Sequence, residues 1–215
     1  MKTIILIMLS ASLAFTQTVY KVTPGSKGNQ IILTVENESK EKELTNVKVK
    51  LMNQFSSFNF RSAEEEIEKI ERGSSKEAEF SFDANITDDV NKTDTLRFLI
   101  TGSEGTKQQK EILIGYELPT EYVLEQNYPN PFNPETMIKY VLPEASNVTL
   151  KVYDILGKEV AALVNENQQA GIHYSTLSTR HSTLASGVYF YQLRVSPSAS
   201  SGHSFVQTKK MMILK

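Results

Sequence analysis

Hydrophobic and polar residues alternate with a period of two in both halves of the chain. In the first half, the alternating segments lie around residues 30–36, 46–51, 77–82, 96–100 and 112–114. A period of two with polar partners is the pattern of strands that bury one face, and it is typical of antiparallel sheets. Five such segments in about 100 residues, separated by turn residues, predict a β-sandwich.

One segment of the first half, residues 62–70, is open to two interpretations. Ser62 and Glu65 have the spacing of a helix capping box, and Ile67 and Ile70 are spaced as on one face of a helix. A turn sequence and another strand follow directly, and the surrounding pattern is all-β. We therefore favour a short strand over one or two helical turns.

The second half contains another series of alternating segments. They cover residues 137–142 and 148–153, and further strands are expected at 159–164, 171–176, 188–195 and 205–214. Asp154 and Gly157 suit the first and last positions of a type I turn that closes a hairpin. A second sandwich of about seven strands is therefore expected. The predicted fold class is all-β, with two Ig-like antiparallel β-sandwich domains in tandem.

The N-terminus has the three-part pattern of a secretory signal peptide. Lys2 provides a positive charge, residues 4–9 form an apolar core, and small residues such as Ser10 and Ala14 follow. The apolar run is shorter than the roughly 20 residues of a membrane span, and no transmembrane helix is expected in the mature chain. The alternatives are an uncleaved anchor or a core strand. We expect cleavage after Thr16, which makes Gln17 the first mature residue.

Composition divides the remainder of the chain near Pro119. The part before it has an excess of acidic residues, whereas the part after it contains most of the prolines and all three histidines. The predicted organisation is a signal peptide at 1–16, an Ig-like cargo module at 17–118, a linker at 119–127 and a second Ig-like sandwich at 128–215.

Charge and composition exclude several kinds of chemistry. The net charge of −2 gives no electrostatic drive toward nucleic acid, and the absence of Cys excludes disulfides, thiol nucleophiles, Cys-bound metals and a Cys-linked lipid anchor. The first half has no His, so it cannot build a His-based triad. We therefore expect no catalytic residues, no cofactor and no enzymatic activity. His173, His181 and His203 are expected to be isolated surface residues.

An oxygen-rich loop in the first half is a weak candidate for calcium binding. The spacing of its carboxylates matches no calcium loop, and Lys92 interrupts it, so a polar loop between strands is the favoured interpretation. The weak calcium candidates in this loop are Asp83, Asp88, Asp89 and Asp94.

Residues 128–134 place a proline at every second or third position. Each proline fixes its own φ and favours extended geometry in the residue before it. The pattern predicts a stiff, extended segment at the start of the second domain, with asparagine side chains available for local turns.

Five motifs of the second half, at 126–134, 152–160, 170–173, 186–191 and 208–211, occur in an order that resembles a known family. Together they resemble the type A C-terminal sorting domain of the type IX (Por) secretion system, over about residues 122–215. The residues assigned to this sorting motif are Asn127, Tyr128, Pro129, Asn130, Pro131, Phe132, Asn133, Pro134, Tyr153, Asp154, Gly157, Gly187, Tyr189, Lys209 and Lys210.

This resemblance implies a partner and a destination. Such domains lie at the C-terminus of exported proteins of the Bacteroidota, and the outer-membrane translocon recognises them. They are often removed as the cargo is released or attached to surface lipopolysaccharide. Lys209 and Lys210 have two equal interpretations, a recognition element or protection of an edge strand.

The first half resembles secreted Ig-like modules of bacterial glycoside hydrolases and surface proteins, through its strand patterns at 30–37, 44–51, 70–73 and 79–82. We therefore expect an exported cell-surface or secreted protein that passes through the periplasm and carries a binding or adhesion module. The alternatives are a carbohydrate-active accessory module and a structural envelope protein that retains its C-terminal domain.

Overall fold

The computed structural model describes the backbone and side chains of residues 18–87, 89–103, 105–180, 184–196 and 204–214. For residues 4–8, 104 and 197 it describes the backbone alone. The described residues form strands and one 3-10 turn, Ser103–Gly105. Among them, no helix is long and apolar enough to cross a membrane. The chain divides into two compact units, Met1–Glu117 and Leu118–Lys215. The predicted all-β fold class is confirmed.

Two sheets form the first unit. Its strands are β1 (Ile4–Met8), β2 (Val19–Val22), β3 (Asn29–Glu36), β4 (Leu44–Leu51), β5 (Phe58–Phe60), β6 (Glu64–Ile70), β7 (Ser75–Ala84), β8 (Thr93–Thr101) and β9 (Lys107–Tyr116). One sheet has the order β1-β3-β7-β5, and the other has the order β2-β9-β8-β4-β6. The ambiguous segment at 62–70 is therefore strand β6, as the surrounding pattern predicted.

The alternating side chains of the two sheets meet in one apolar core. Ile31 and Leu33 of β3, Phe80 of β7 and Phe98 of β8 are fully buried. The rings of Phe80 and Phe98 come from opposite sheets and lie 4.9 Å apart between centroids. Such interdigitation of two inner faces is the packing of a β-sandwich.

Two pairs of strands in the first unit are parallel, whereas the alternating pattern predicted antiparallel sheets. β1 pairs with β3 in parallel, and β2 pairs with β9 in parallel. Both β1 and β2 are edge strands near the chain terminus, and no hairpin joins either to its partner. A period-two pattern sets the buried face of a strand but not its direction, so the sequence carried no signal for these pairings.

The second unit is a smaller sandwich. Its strands are β10 (Val123–Leu124), β11 (Glu135–Leu142), β12 (Ser146–Tyr153), β13 (Glu159–Gln168), β14 (Gly171–Ser178), β15 (Gly187–Pro197) and β16 (Phe205–Ile213). The sheet orders are β10-β11-β14 and β13-β12-β15-β16. The buried faces of Ile138–Leu142, Val148–Val152 and Tyr191–Val195 fill the space between the sheets.

The start of the second unit differs from the linker predicted at 119–127. Val123 and Leu124 form β10 against Tyr140 and Val141 of β11, and the Leu124 side chain is buried. Tyr122 packs on the same core. Two strand residues are too few for a period-two signal, so the sequence showed only the proline and the polar residues around them. The folded unit therefore includes residues from Tyr122 onward.

The signal peptide expected at 1–16 lies outside the described residues except for the backbone of β1. It stays a prediction, as does the cleavage after Thr16.

Candidate functional site

Asn127 is a buried residue directly before the proline-rich segment, residues 128–134. Its side-chain amide donates to the carbonyl oxygen of Pro129 at 3.1 Å and to Oγ1 of Thr136 at 2.9 Å. Thr136 Oγ1 in turn donates to the same Pro129 oxygen at 2.8 Å. Prolines have no N–H with which to hold a turn, so a buried asparagine and threonine supply the hydrogen bonds of this one.

The hydroxyl of Tyr191 joins this segment to the middle of the second sandwich. It accepts the backbone N–H of Asn127 at 2.8 Å and donates to the carbonyl oxygen of Glu125 at 2.8 Å. Tyr191 is fully buried. Burial raises the pKa of its hydroxyl to about 12, although the bond from the Asn127 N–H acts in the opposite direction. The hydroxyl therefore remains protonated and able to donate at neutral pH.

The later part of the proline-rich segment covers the outer edge of β16. The Phe132 N–H donates to the carbonyl oxygen of Met212 at 3.0 Å, and the Phe132 carbonyl accepts the N–H of Leu214 at 3.0 Å. Asn130 Oδ1 accepts the N–H of Met212 at 2.9 Å. The Phe132 ring is buried in the core between the sheets. These main-chain and side-chain hydrogen bonds protect the last residues of this edge strand from pairing with a strand of another chain.

The segment is bent rather than extended, which corrects the sequence-based expectation. The backbone bends at residues 129–131 and at 133–134. The peptide bonds before Pro129, Pro131 and Pro134 are cis. The bends bring the Pro134 carbonyl to the N–H of Thr179, 2.8 Å away. Local proline preferences predicted extended geometry, whereas part of the hydrogen bonding that holds the segment comes from Thr179, Met212 and Leu214, which are distant in sequence.

The bends separate the side chains of the segment into a buried set and an exposed set. Asn127 and Phe132 point into the fold and are buried. The Tyr128 side chain is 82% exposed, although its backbone pairs with Met137. The other exposed residues of the segment are Pro129, Asn130, Pro131 and Asn133.

The turn predicted at Asp154–Gly157 is confirmed and closes the β12–β13 hairpin. Asp154 Oδ1 accepts the N–H groups of Leu156 and Lys158, each at 2.9 Å. The Gly157 N–H donates to the Asp154 carbonyl at 3.1 Å, and Gly157 has a φ of 79°. A type I turn followed by a residue in the left-handed region is a frequent hairpin connection, and glycine adopts that region without steric cost.

Gly187 and Tyr189 lie where β15 begins. Gly187 has a φ of 157°, and a Cβ at this position would come no closer than 4.0 Å to the Tyr189 ring. The backbone conformation rather than crowding therefore favours glycine here. The Tyr189 hydroxyl donates to the carbonyl oxygen of Ala185 at 3.1 Å, which closes the turn before the strand.

Lys209 and Lys210 occupy β16, the edge strand of its sheet. They pair in register with Tyr191 and Phe190 of β15. The Lys210 carbonyl accepts the side-chain amide of Gln126 at 2.8 Å. This position fits the protection of an edge strand, and the exposed Lys210 side chain also remains open to recognition.

Four polar residues that form hydrogen bonds in and around the segment were not among the predicted site residues. They are Gln126, Thr136, Tyr191 and Gln207. Gln207 Oε1 accepts the N–H of Leu124 at 3.0 Å. One of the four carried a usable signal. Tyr191 stands at an inward position of an alternating strand, and a buried tyrosine hydroxyl requires a partner.

The calcium candidates do not converge. Asp83 Oδ1 accepts the N–H of Gly28 at 2.8 Å, and Asp89 Oδ1 accepts the N–H of Asn91 at 3.1 Å. Asp88 lies outside the described residues. Within the described part of the chain, no group of three His, Cys, Asp or Glu residues is placed to hold a metal ion.

Asp94, the fourth candidate, belongs to a buried polar cluster of the first unit. Its Oδ2 accepts the Tyr116 hydroxyl at 2.6 Å and lies 3.7 Å from Nζ of Lys92. Lys92 Nζ donates to Ser57 Oγ at 2.8 Å and stands 5.7 Å from the centre of the Tyr116 ring. Burial and the Asp94 carboxylate raise the pKa of Tyr116. The cluster is satisfied internally and fixes the end of β9.

Of the three histidines, His173 is described, and His181 and His203 lie outside the described residues. His173 stacks on Tyr140 with ring centroids 5.4 Å apart, and its Nε2 donates to the carbonyl oxygen of Gln169 at 2.8 Å. Burial lowers its pKa.

The comparison with known families identifies the second unit. Residues 126–213 match the family model of the secretion system C-terminal sorting domain. No curated protein matches the sequence.

Several solved structures resemble the chain at low identity. Dimeric latent PorU from Porphyromonas gingivalis is 12% identical with a TM-score of 0.35 over 92% of this chain, which spans 19% of PorU. The CupB2 chaperone of Pseudomonas aeruginosa is 9% identical with a TM-score of 0.32, over 92% of this chain and 97% of the chaperone. The calcium binding domain CBD12 of CALX1.1 is 11% identical with a TM-score of 0.35, over 85% and 79%.

The matched residues include the whole proline-rich segment, the β12–β13 hairpin, the turn at Gly187 and the lysines of β16. These elements lie in one sandwich with its own core. The second unit of this chain is therefore a member of the family of type IX secretion system C-terminal sorting domains.

Proposed function

We propose that this chain is an exported, non-enzymatic protein whose second unit directs it through the type IX secretion system and whose first unit binds a partner outside the cell. The observation that carries the proposal is the sorting domain at residues 126–213. A sorting domain of this family implies contact with the type IX machinery and export to the cell surface or the medium.

The two ends of the chain act in sequence in this proposal. The signal peptide expected at residues 1–16 takes the chain across the inner membrane into the periplasm. The second unit then presents the folded sorting domain to the outer-membrane translocon. The first unit reaches the outside as cargo, either free or held at the surface, for example on lipopolysaccharide.

Four glutamates of the first unit are engaged in exposed ion pairs and do not form a catalytic carboxylate pair. Lys48 lies between the carboxylates of Glu64 and Glu66 on an exposed sheet face. Lys69 is held between Glu43 at 2.9 Å and Glu71 at 2.8 Å, and these carboxylates raise its pKa. Glycoside hydrolysis needs two carboxylates that face each other across a substrate cleft, one of them with a raised pKa. The carboxylates of these four residues are held in exposed ion pairs on the surface of the unit and do not face each other across a cleft.

A pair of host strains tests the export function with the full-length chain. The protein is followed by intact mass in the medium, in washed cells and in the periplasm, in the native host and in a strain whose type IX translocon is disrupted. We expect the chain outside competent cells and in the periplasm of the disrupted strain. An equal distribution in the two strains would refute a type IX route.

Binding by the first unit is tested with purified mature protein on washed cells of the native host and on immobilised polysaccharides. Saturable retention without release of reducing ends is expected of a non-enzymatic adhesion module. Release of reducing ends would instead favour the carbohydrate-active alternative. Unsaturable, weak retention on every surface would favour a structural role in the envelope.

A further inference from the structure

The tip of the β12–β13 hairpin exposes two large aliphatic side chains. Ile155 is 71% exposed and Leu156 is 87% exposed. They occupy the two central positions of the turn between Asp154 and Gly157, and a type I turn accepts most residue types there. The fold therefore does not require apolar residues at the tip. Neighbouring exposed apolar side chains of this kind are a common feature of docking sites.

The backbone holds these two side chains in a defined position. The Asp154 carboxylate accepts two N–H groups of the turn, and the Asp154 N–H donates to the carbonyl oxygen of Lys158 at 3.0 Å. The turn is thus closed by hydrogen bonds on both sides. A preorganised tip loses little conformational entropy when a partner immobilises it. The affinity gained from burying its apolar area is therefore reduced only slightly by that entropy cost.

A shallow cavity lies beside the tip on the outer face of the sheet. It has a volume of about 420 Å³, and its lining includes Ile155, Tyr153, Phe190, Gln192, Arg194 and Asp154. Tyr153 and Phe190 are directly opposite each other on β12 and β15. The protruding aliphatic tip and the aromatic depression therefore form one continuous surface.

The charges around this surface are mainly positive. Lys158 of the hairpin, Arg194 of β15 and Lys210 of β16 are exposed, and Lys210 stands opposite Phe190 in the sheet register. Two carboxylates lie nearby, Asp154, which accepts backbone N–H groups, and Glu159, which pairs with Lys151 at 2.8 Å, so the basic side chains outnumber the acidic ones. A partner that complements this surface carries carboxylates around an apolar pocket.

We infer that the Ile155–Leu156 tip and the adjoining basic face form the surface with which the sorting domain docks a receptor protein of the secretion machinery. The aliphatic tip enters an apolar pocket of the receptor, and carboxylates at the rim of that pocket meet Arg194, Lys158 and Lys210. This inference rests on the proposed export function and names the surface that performs it. The first unit takes no part in the contact.

The first test measures export of full-length variants in the native host. The double variant Ile155→Ser/Leu156→Ser removes the apolar tip, and the swapped variant Ile155→Leu/Leu156→Ile keeps it. We expect the double variant to reach the medium and surface at a level about tenfold or more below the wild type, whereas the swapped variant matches the wild type. Thermal unfolding of both purified variants should match the wild type, because neither side chain belongs to the core.

The second test locates the partner. A photo-crosslinking residue replaces Leu156 in the full-length chain, and Met52 of the first unit, also exposed, is replaced as the matched control. We expect an adduct with an outer-membrane protein from position 156 only. The Arg194→Glu substitution should decrease its yield, because a carboxylate would then face the acidic rim.

The outcomes separate this inference from the proposed function. If export depends on the type IX translocon but the double serine variant is exported within about twofold of the wild type, the docking surface is refuted and the function stands. An adduct with a second copy of the chain, or with lipid alone, also refutes the receptor contact. If export does not depend on the translocon, the proposed function itself fails.

Discussion

Tyr191, in the central strand β15, accepts the backbone N–H of Asn127 through its buried hydroxyl, 64 residues away in sequence. The same hydroxyl donates to the carbonyl oxygen of Glu125. One side chain therefore satisfies a donor and an acceptor of the segment that begins the sorting domain. Because Asn127 is only 2% exposed, water cannot easily replace the hydroxyl at the Asn127 N–H. The start of the domain is thus fixed from within its core.

Replacing Tyr191 with phenylalanine should destabilise the second unit. The Tyr191→Phe substitution keeps the ring but leaves the Asn127 N–H and the Glu125 carbonyl without their partner, at a cost of about 1–3 kcal/mol in the free energy of unfolding. Denaturant unfolding of the full mature chain measures it. The control is Tyr128→Phe, because the Tyr128 side chain is 82% exposed and its hydroxyl exchanges partners with water. Equal unfolding free energies for both variants would contradict the assignment.

Asn127 and Thr136 should be energetically coupled. The Asn127 amide donates to Thr136 Oγ1, and both groups bond the carbonyl oxygen of Pro129. In a double-mutant cycle of Asn127→Ala and Thr136→Val, we expect a coupling energy of about 0.5–3 kcal/mol in the unfolding free energy. The matched cycle of Asn127→Ala with Thr149→Val, on the opposite sheet, should be additive within about 0.5 kcal/mol. Additivity in both cycles would mean that the two residues act separately.

The contrast between the strands and the proline-rich segment explains what the sequence could predict. Alternation at 137–142 and 148–153 predicted β11 and β12, because the buried face of a strand is written in every second residue. The shape of residues 128–134 was predicted as extended and is bent. Several of its hydrogen bonds join it to Met212, Leu214 and Thr179, which are distant in sequence, so no local pattern contains them. The candidate site was therefore recognised by its motif and not by its geometry.

Gly157 should be replaceable by asparagine at a lower cost than by alanine. Its φ of 79° lies in the left-handed region, and a Cβ at this position would meet no atom within 4 Å. The penalty of Gly157→Ala is therefore conformational and about 1 kcal/mol in the unfolding free energy. Asparagine adopts this region more readily, so Gly157→Asn should cost less. Thermal unfolding of the two variants measures the difference, and a larger loss for asparagine would contradict it.

His173 should make the second unit less stable in mild acid. Burial lowers its pKa below the ordinary value of 6.5, although the Gln169 carbonyl and the charge of Glu166 oppose the shift. The neutral ring is therefore favoured in the folded state, and the unfolded chain binds the additional proton first. Its contribution to stability is complete above pH 6.5 and is lost as the pH falls through the lower, folded pKa.

The prediction for His173 is checked by measuring the free energy of unfolding from about pH 8 to about pH 5, a range that brackets the ordinary histidine pKa of about 6.5. The His173→Phe substitution keeps an aromatic ring against Tyr140 but cannot titrate. We expect the loss of stability below pH 6.5 to be smaller in this variant than in the wild type. A wild-type profile that equals the variant profile would show that the histidine titrates alike in both states.

The boundary between the two units should be visible to a glutamate-specific protease. Glu117 and Glu121 are exposed, and Glu121 precedes the first residue that packs on the core of the second unit. Glu125, only four residues later, pairs with Lys139 at 2.7 Å, and its carbonyl accepts the Tyr191 hydroxyl. Cleavage requires the backbone to leave its hydrogen bonds and enter the protease, so a residue fixed in this way resists it.

The Glu117 N–H is also bound, by the Val22 carbonyl at 3.0 Å, so within this stretch we expect limited digestion of the mature chain to cut after Glu121 and not after Glu125. Intact mass distinguishes a fragment that starts at Tyr122 from one that starts at Gln126. The Tyr191→Phe variant provides the internal control, because the loss of its hydroxyl should admit cleavage after Glu125 as well. Early cleavage after Glu125 in the wild type would contradict this expectation and support the linker at 119–127 that the sequence alone predicted.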